Sequence, residues 1–121
     1  MQKKSLKITE KALGPDHPDM ALMLNNLAVT YYTQGAYAKA EPLYKRSLLI
    51  NKKALGPDHP SVASVLYNLA DLYYNQGRYA KAETLHRDSL AINEKALGPD
   101  HPSIAKGQNS LAGLYKIQGR Y

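Results

Sequence analysis

An all-α fold of stacked helical hairpins is predicted by three features of this chain. The octapeptide Lys-Ala-Leu-Gly-Pro-Asp-His-Pro occurs three times, at Lys11 to Pro18, Lys53 to Pro60 and Lys95 to Pro102, each copy 42 residues after the last. Between copies the apolar residues keep helical spacing. Glycine and proline fall where helices must stop and start. A fixed period of this length marks supersecondary units that cannot bury an apolar face alone and do so against their neighbours. Aligning residues 11–52 with 53–94 gives 27 identities in 42 positions, so the whole period repeats and not the octapeptide alone.

Within one period, Ala21, Leu24, Leu27, Ala28 and Tyr31 form one stripe, and Tyr37, Ala40, Leu43, Tyr44, Ser47 and Leu48 form another. Each stripe is one face of a helix. Small residues in them, Ala28 with Ala40 and Ala70 with Ala82, let two helix backbones approach, and the tyrosines fill the remaining space. Gly35, Gly77 and Gly119 stand just past the first helix of each unit, where a left-handed residue closes the C-terminus. Leu-Gly-Pro ends the second helix, and Pro18, Pro60 and Pro102 open the next one. Asp16, Asp58 and Asp100 are expected to accept from the orphan amides at that next N-terminus. Pro42 falls early in a second helix, where it removes at most one backbone bond. These signals place helices near 2–12, 18–34, 37–54, 60–76, 79–96 and 102–118.

The expected organisation is one array spanning 1–121. Residues 1–12 are the second helix of a truncated repeat, 18–54 and 60–96 are complete repeats, and 102–121 is the first helix of another truncated repeat. On this reading the chain is a segment of a longer array. Its end faces, Leu6 on one side and Leu111, Leu114 and Tyr115 on the other, are expected to be exposed and to dock head to tail between molecules.

Composition excludes several functions. Without cysteine there are no disulfides, thiolate metal sites or cysteine nucleophiles, which fits a cytoplasmic setting, as does the lack of a signal-peptide pattern. No uncharged apolar stretch is long enough to span a membrane. The net charge of +6 favours an acidic partner electrostatically. Nucleic-acid binding needs a contiguous basic track with stacking aromatics. Lys45, Arg46 and Arg87 instead lie on second helices, and most tyrosines sit in the packing stripes. His17, His59 and His101 are locked to the period, hence separated by about one helix spacing of ~8–10 Å, too far apart to share a zinc ion. His86, which replaces Tyr44 in the apolar stripe, is expected to be partly buried with a hydrogen-bond partner. No phosphate loop, nucleophile elbow or carboxylate cluster appears. Neither an enzyme nor a cofactor is indicated.

The order Leu24, Leu27, Ala28, Tyr31, Gly35, Tyr37, Ala40, Tyr44, Ser47 resembles the tetratricopeptide repeat signature. Ala28 and Ser47 stand for its usual glycine and alanine. The longer period, with Leu-Gly-Pro-Asp-His-Pro, Asn-Asn-Leu-Ala (Asn25 to Ala28), Tyr-Asn-Leu-Ala (Tyr67 to Ala70) and Ala-Glu-Pro-Leu-Tyr-Lys-Arg-Ser-Leu (Ala40 to Leu48), is similar to the repeats of kinesin light chains. Near-identity between copies and the lack of a heptad segment lean towards the light-chain-like arrays of bacteria.

The resemblance implies a right-handed superhelical solenoid whose first helices line a concave groove that holds a peptide or partner helix. The matching groove positions include Asn25, Asn26 and Tyr32 in the first copy. Tyr67, Asn68, Asp71 and Asn75 follow in the second, and Lys106, Asn109 and Lys116 in the third. Asparagine amides can both donate to and accept from a peptide backbone. Lys106 and Asn68 match two elements of the carboxylate clamp of chaperone-tail-binding relatives, but Ser110 and Asn25 stand where that clamp has arginine and lysine. Dedicated recognition of a terminal carboxylate is therefore not expected. Resemblance to light chains points to an acidic peptide with an aromatic residue, served by Lys106 and Lys116. A scaffold that binds a protein or peptide is the function expected, with a self-assembling structural module or a basic nucleic-acid-binding solenoid as alternatives.

Overall fold

The computed structural model describes Gly14 and residues 17–119, and the described residues contain five helices and no strand. They are α1 (Pro18–Thr33), α2 (Tyr37–Leu55), α3 (Pro60–Asn75), α4 (Tyr79–Leu97) and α5 (Pro102–Ile117). Each boundary lies within one residue of its expected place. The helix expected at 2–12 lies outside the described residues. The chain divides into two compact units, Met1–Pro57 and Asp58–Tyr121. The first holds the hairpin α1–α2, and the second holds the hairpin α3–α4 with α5 packed on α4.

The hairpin turn is a Schellman closure. In the second unit the Gly77 N–H donates to Tyr74 C=O at 3.0 Å and the Arg78 N–H to Tyr73 C=O at 2.8 Å. Gly77 takes φ +76°, open to glycine without a Cβ penalty. Gln34 to Ala36 repeat these bonds in the first unit, at 3.0 and 2.8 Å. The connector glycine is of another kind: Gly56 has φ 96° and ψ 154°, a region reserved for glycine.

The core follows the two stripes. Ala21, Leu24, Ala28, Ala40 and Tyr44 are buried in the first unit, and Ala63, Ala70, Leu72 and Ala82 in the second. Leu43, Leu48 and Tyr31 are only half-buried. Met20 and Ile50, outside the predicted stripes, complete the first core. Ser47 sits wholly inside because its hydroxyl donates to Ala21 C=O at 2.7 Å, and Ser89 donates likewise to Ala63 C=O at 2.8 Å. Each serine therefore satisfies itself on a carbonyl of the facing helix, where a buried hydroxyl without a partner would be costly. Pro42 is accommodated within α2, which runs on without a break.

Two expectations about this framework are corrected. The residue capping each first helix is histidine, where aspartate was expected; Asp16 lies outside the described residues. His17, His59 and His101 accept through Nδ1 from the N–H of Asp19, Ser61 and Ser103, at 3.1, 3.0 and 3.1 Å. The following proline holds the histidine extended, with ψ near 140°, and that aims the ring back over the first turn. Asp58 pairs instead with Lys95 at 3.0 Å. Second, α5 does not expose the apolar face assigned to it. Leu111 and Leu114 are buried, and Tyr115 is half-buried with its hydroxyl bound by Arg87 of α4. The head-to-tail docking face is thus covered on this side, and Leu6 on the other lies outside the described residues.

Candidate functional site

In the second unit, α3 and α5 flank a cleft of about 150 Å³ with α4 also contributing to its lining. Its lining is Ala63, Ser64, Tyr67 and Asn68 from α3, Ser89 and Asn93 from α4, and Ser103 and Lys106 from α5. Of the residues predicted to bind, Tyr67, Asn68 and Lys106 are thus brought together. Ser89, Asn93 and Ser103 were missed. Ser89 corresponds to Ser47 of the packing stripe, and only the three-helix arrangement shows that this part of the stripe borders a cleft.

Tyr67 organises the site. Its ring meets the edge of His86, with centroids 4.8 Å apart, and the Lys106 ammonium lies 4.8 Å from its centroid on a side chain from α5. The Ser110 hydroxyl donates to Lys106 C=O at 3.1 Å. It is then free to accept from the Tyr67 hydroxyl at 3.0 Å. Tyrosine, lysine and serine thereby hold α3 to α5, and the ammonium is kept beside the cleft by the ring's negative face. Lys106 alone is charged among the described residues that line it.

Behind Tyr67 lies a polar cluster that the sequence did not disclose. His86 is 2% exposed, fully buried where partial burial was expected. Its Nε2 stands 3.5 Å from Asp71 Oδ1, and Nδ1 has no partner. Asp71 therefore contacts the core histidine of the same hairpin. On the far side of α4, Arg87 donates through Nε and Nη2 to the Tyr115 hydroxyl at 3.1 and 2.7 Å. Arg87 is also 3.1 Å from Glu83. Its pKa is raised, first by the Tyr115 bond and then by the Glu83 charge.

The remaining predicted residues stand apart from the cleft. Asn75 is exposed at the end of α3 and donates to Asp71 C=O at 2.8 Å, closing its own helix. Asn109 and Lys116 are exposed on α5. In the first unit Asn25 is half-buried and Asn26 exposed on α1, and Tyr32 packs on Tyr37 with centroids 5.5 Å apart. Leu22 and Val29 are exposed on the same helix, so this unit presents amides beside apolar surface.

Repeated hairpins, joined by glycine turns and carrying a small polar cleft between first helices, define a helical-repeat protein. The chain belongs to the tetratricopeptide repeat family, whose model matches residues 1–48, 19–95 and 61–121. Over 42 residues it is 48% identical to nephrocystin-3 of Xenopus laevis and of Xenopus tropicalis, a match covering 35% of this chain and 3% of each relative. Among solved structures it is similar to BtubC (BKLC) from P. vanneervenii, with TM-score 0.90 and 27% identity. That match covers 98% of this chain and 48% of the other. It is also similar to the nearly identical TPR-like repeats of a putative kinesin light chain from Podosopora anserina, with TM-score 0.87 and 29% identity over 98% of this chain and 56% of that one. The chain thus spans about half the length of these structures and a small fraction of the curated relatives. Its repeats are of the kinesin-light-chain-like kind.

Proposed function

We propose that this chain is a protein-interaction scaffold that holds an acidic peptide at the first-helix surface, with the cleft between α3 and α5 as its principal contact. The observation that carries this reading is the cleft's lining: among the described residues it has hydroxyls and amides around a single ammonium, with no carboxylate to repel an acidic side chain. Asn68 would serve the peptide backbone, which an amide can bind through its donor and its acceptor at once. Lys106 would serve an acidic side chain, and Tyr67 offers an aromatic wall. The family's general role as a protein-binding module supports the class. No helix among the described residues is long and apolar enough to cross a membrane, and together with the lack of cysteine this supports action in the cytoplasm.

The test is fluorescence anisotropy with labelled acidic peptides that contain an aromatic residue. Asn68→Ala and Lys106→Ala should each weaken binding by about 1–3 kcal/mol, while Lys45→Ala and Arg46→Ala on α2 should change it little. Equal losses at both pairs would place the site on the other face.

A further inference from the structure

We propose that the three histidine caps form an acid-sensitive device that loosens the first turns of their helices, the cleft-lining α3 and α5 among them, when the imidazoles are protonated. An N-cap works through a lone pair. In His17, His59 and His101 that lone pair is on Nδ1, which accepts the second amide of its helix at 3.0–3.1 Å in all three copies. A proton on Nδ1 turns the acceptor into a donor facing another N–H. The same proton adds positive charge at the positive end of the helix dipole. Asp, Asn or Ser caps carry no such liability in this range, because imidazole alone changes charge between about pH 5 and 8.

The cleft is tied to these caps. Ser103, whose amide is held by His101, lines the cleft itself, and Lys106 follows in the next turn of α5. His59 in the same way holds the turn of α3 that carries Ala63 and Ser64. The charged neighbours of the caps differ. Asp19 Oδ2 stands 3.8 Å from His17 Nδ1. Asp58 precedes His59 but is engaged by Lys95 at 3.0 Å, and Asp100 precedes His101. Ser61 and Ser103 stand in α3 and α5 where α1 has Asp19. A protonated Nδ1 cannot accept the amide, so acid can only weaken the cap. The consequence for peptide holding rests on the function proposed above; the device itself does not.

The experiment needs no ligand. Amide exchange at Ser61 and Ser103, corrected for intrinsic rates, is followed by NMR at about pH 7.5 and about pH 5.5. Wild type should show exchange roughly fivefold faster at the lower pH, the equivalent of a lost cap. The variant H59N/H101N, which keeps a capping side chain that does not titrate, should show the same protection at both. If that variant does not fold, H101N alone is read at Ser103 with Ser61 as the internal reference. H86Q should keep the wild-type response. No acceleration in wild type, equal acceleration in the asparagine variants, or loss of the response in H86Q would overturn the proposal.

Discussion

Compared bond for bond, the hairpins Pro18–Leu55 and Pro60–Leu97 repeat each other closely. The histidine caps, the Ser47 and Ser89 bonds to facing carbonyls, the Schellman turns and the tyrosine pairs at 5.5 and 5.6 Å recur within a few tenths of an ångström. Among the positions at which they differ, three lie side by side in the second hairpin. Asn25, Val29 and Tyr44 in one are Tyr67, Asp71 and His86 in the other. The large phenol leaves the second helix, where Tyr44 is buried, and a tyrosine stands instead on the first helix beside the cleft. A histidine fills the vacated core position, with Asp71 alongside it. A shared set of small residues, glycines and serines maintains the backbone, while an exchange at three sites changes what the hairpin presents.

The comparison can be broken most forcefully at Tyr44. Tyr44→Ala should destabilise by about 3–5 kcal/mol, the cost of removing a fully buried aromatic ring. His86→Ala should cost less, about 1–3 kcal/mol, since a smaller ring with one unpartnered nitrogen is lost. Urea unfolding midpoints at constant slope measure both.

Grafting the first interior onto the second hairpin sharpens the point. His86→Tyr alone should cost about 1–3 kcal/mol, because Tyr67 already fills the neighbouring space. Adding Tyr67→Asn and Asp71→Val should recover most of it, a non-additivity that a mutant cycle reads directly. Additive losses would show that the three positions are not one unit.

Where the hairpins agree, the effects should agree. Ser47→Ala and Ser89→Ala should each cost about 0.5–1.5 kcal/mol and match within error in thermal or urea unfolding. The smallest effect is expected at Lys95. Its pairing with Asp58 is well exposed at both ends, so Lys95→Ala should change stability by under about 0.5 kcal/mol in the same assay.

Helix positions, hairpin turns and the serine-containing stripes were legible in the sequence because each depends on local rules: apolar spacing, a glycine that can adopt positive φ, and a proline at the first helical position. The period then carried those local readings from copy to copy. The capping role of His17, His59 and His101 was not legible. Composition rules assign capping to the nearby aspartate, whereas the Nδ1 contact depends on how the extended pre-proline backbone aims the ring. The buried state of Leu111 and Leu114 was likewise invisible, since it depends on how much of α5 one packed helix covers.

By itself the sequence determined the all-α repeat and the boundaries of the described helices to within a residue. Those properties follow from interactions between residues close along the chain. Tertiary structure alone decided that Tyr67, Asn68 and Lys106 line one cleft while Asn75, Asn109 and Lys116 do not. It also decided that Asp71 faces a core histidine. Asp71 and His86 are 15 positions apart and Tyr67 and Lys106 are 39 apart, and their distances are set by the packing of α3, α4 and α5, which no local spacing encodes.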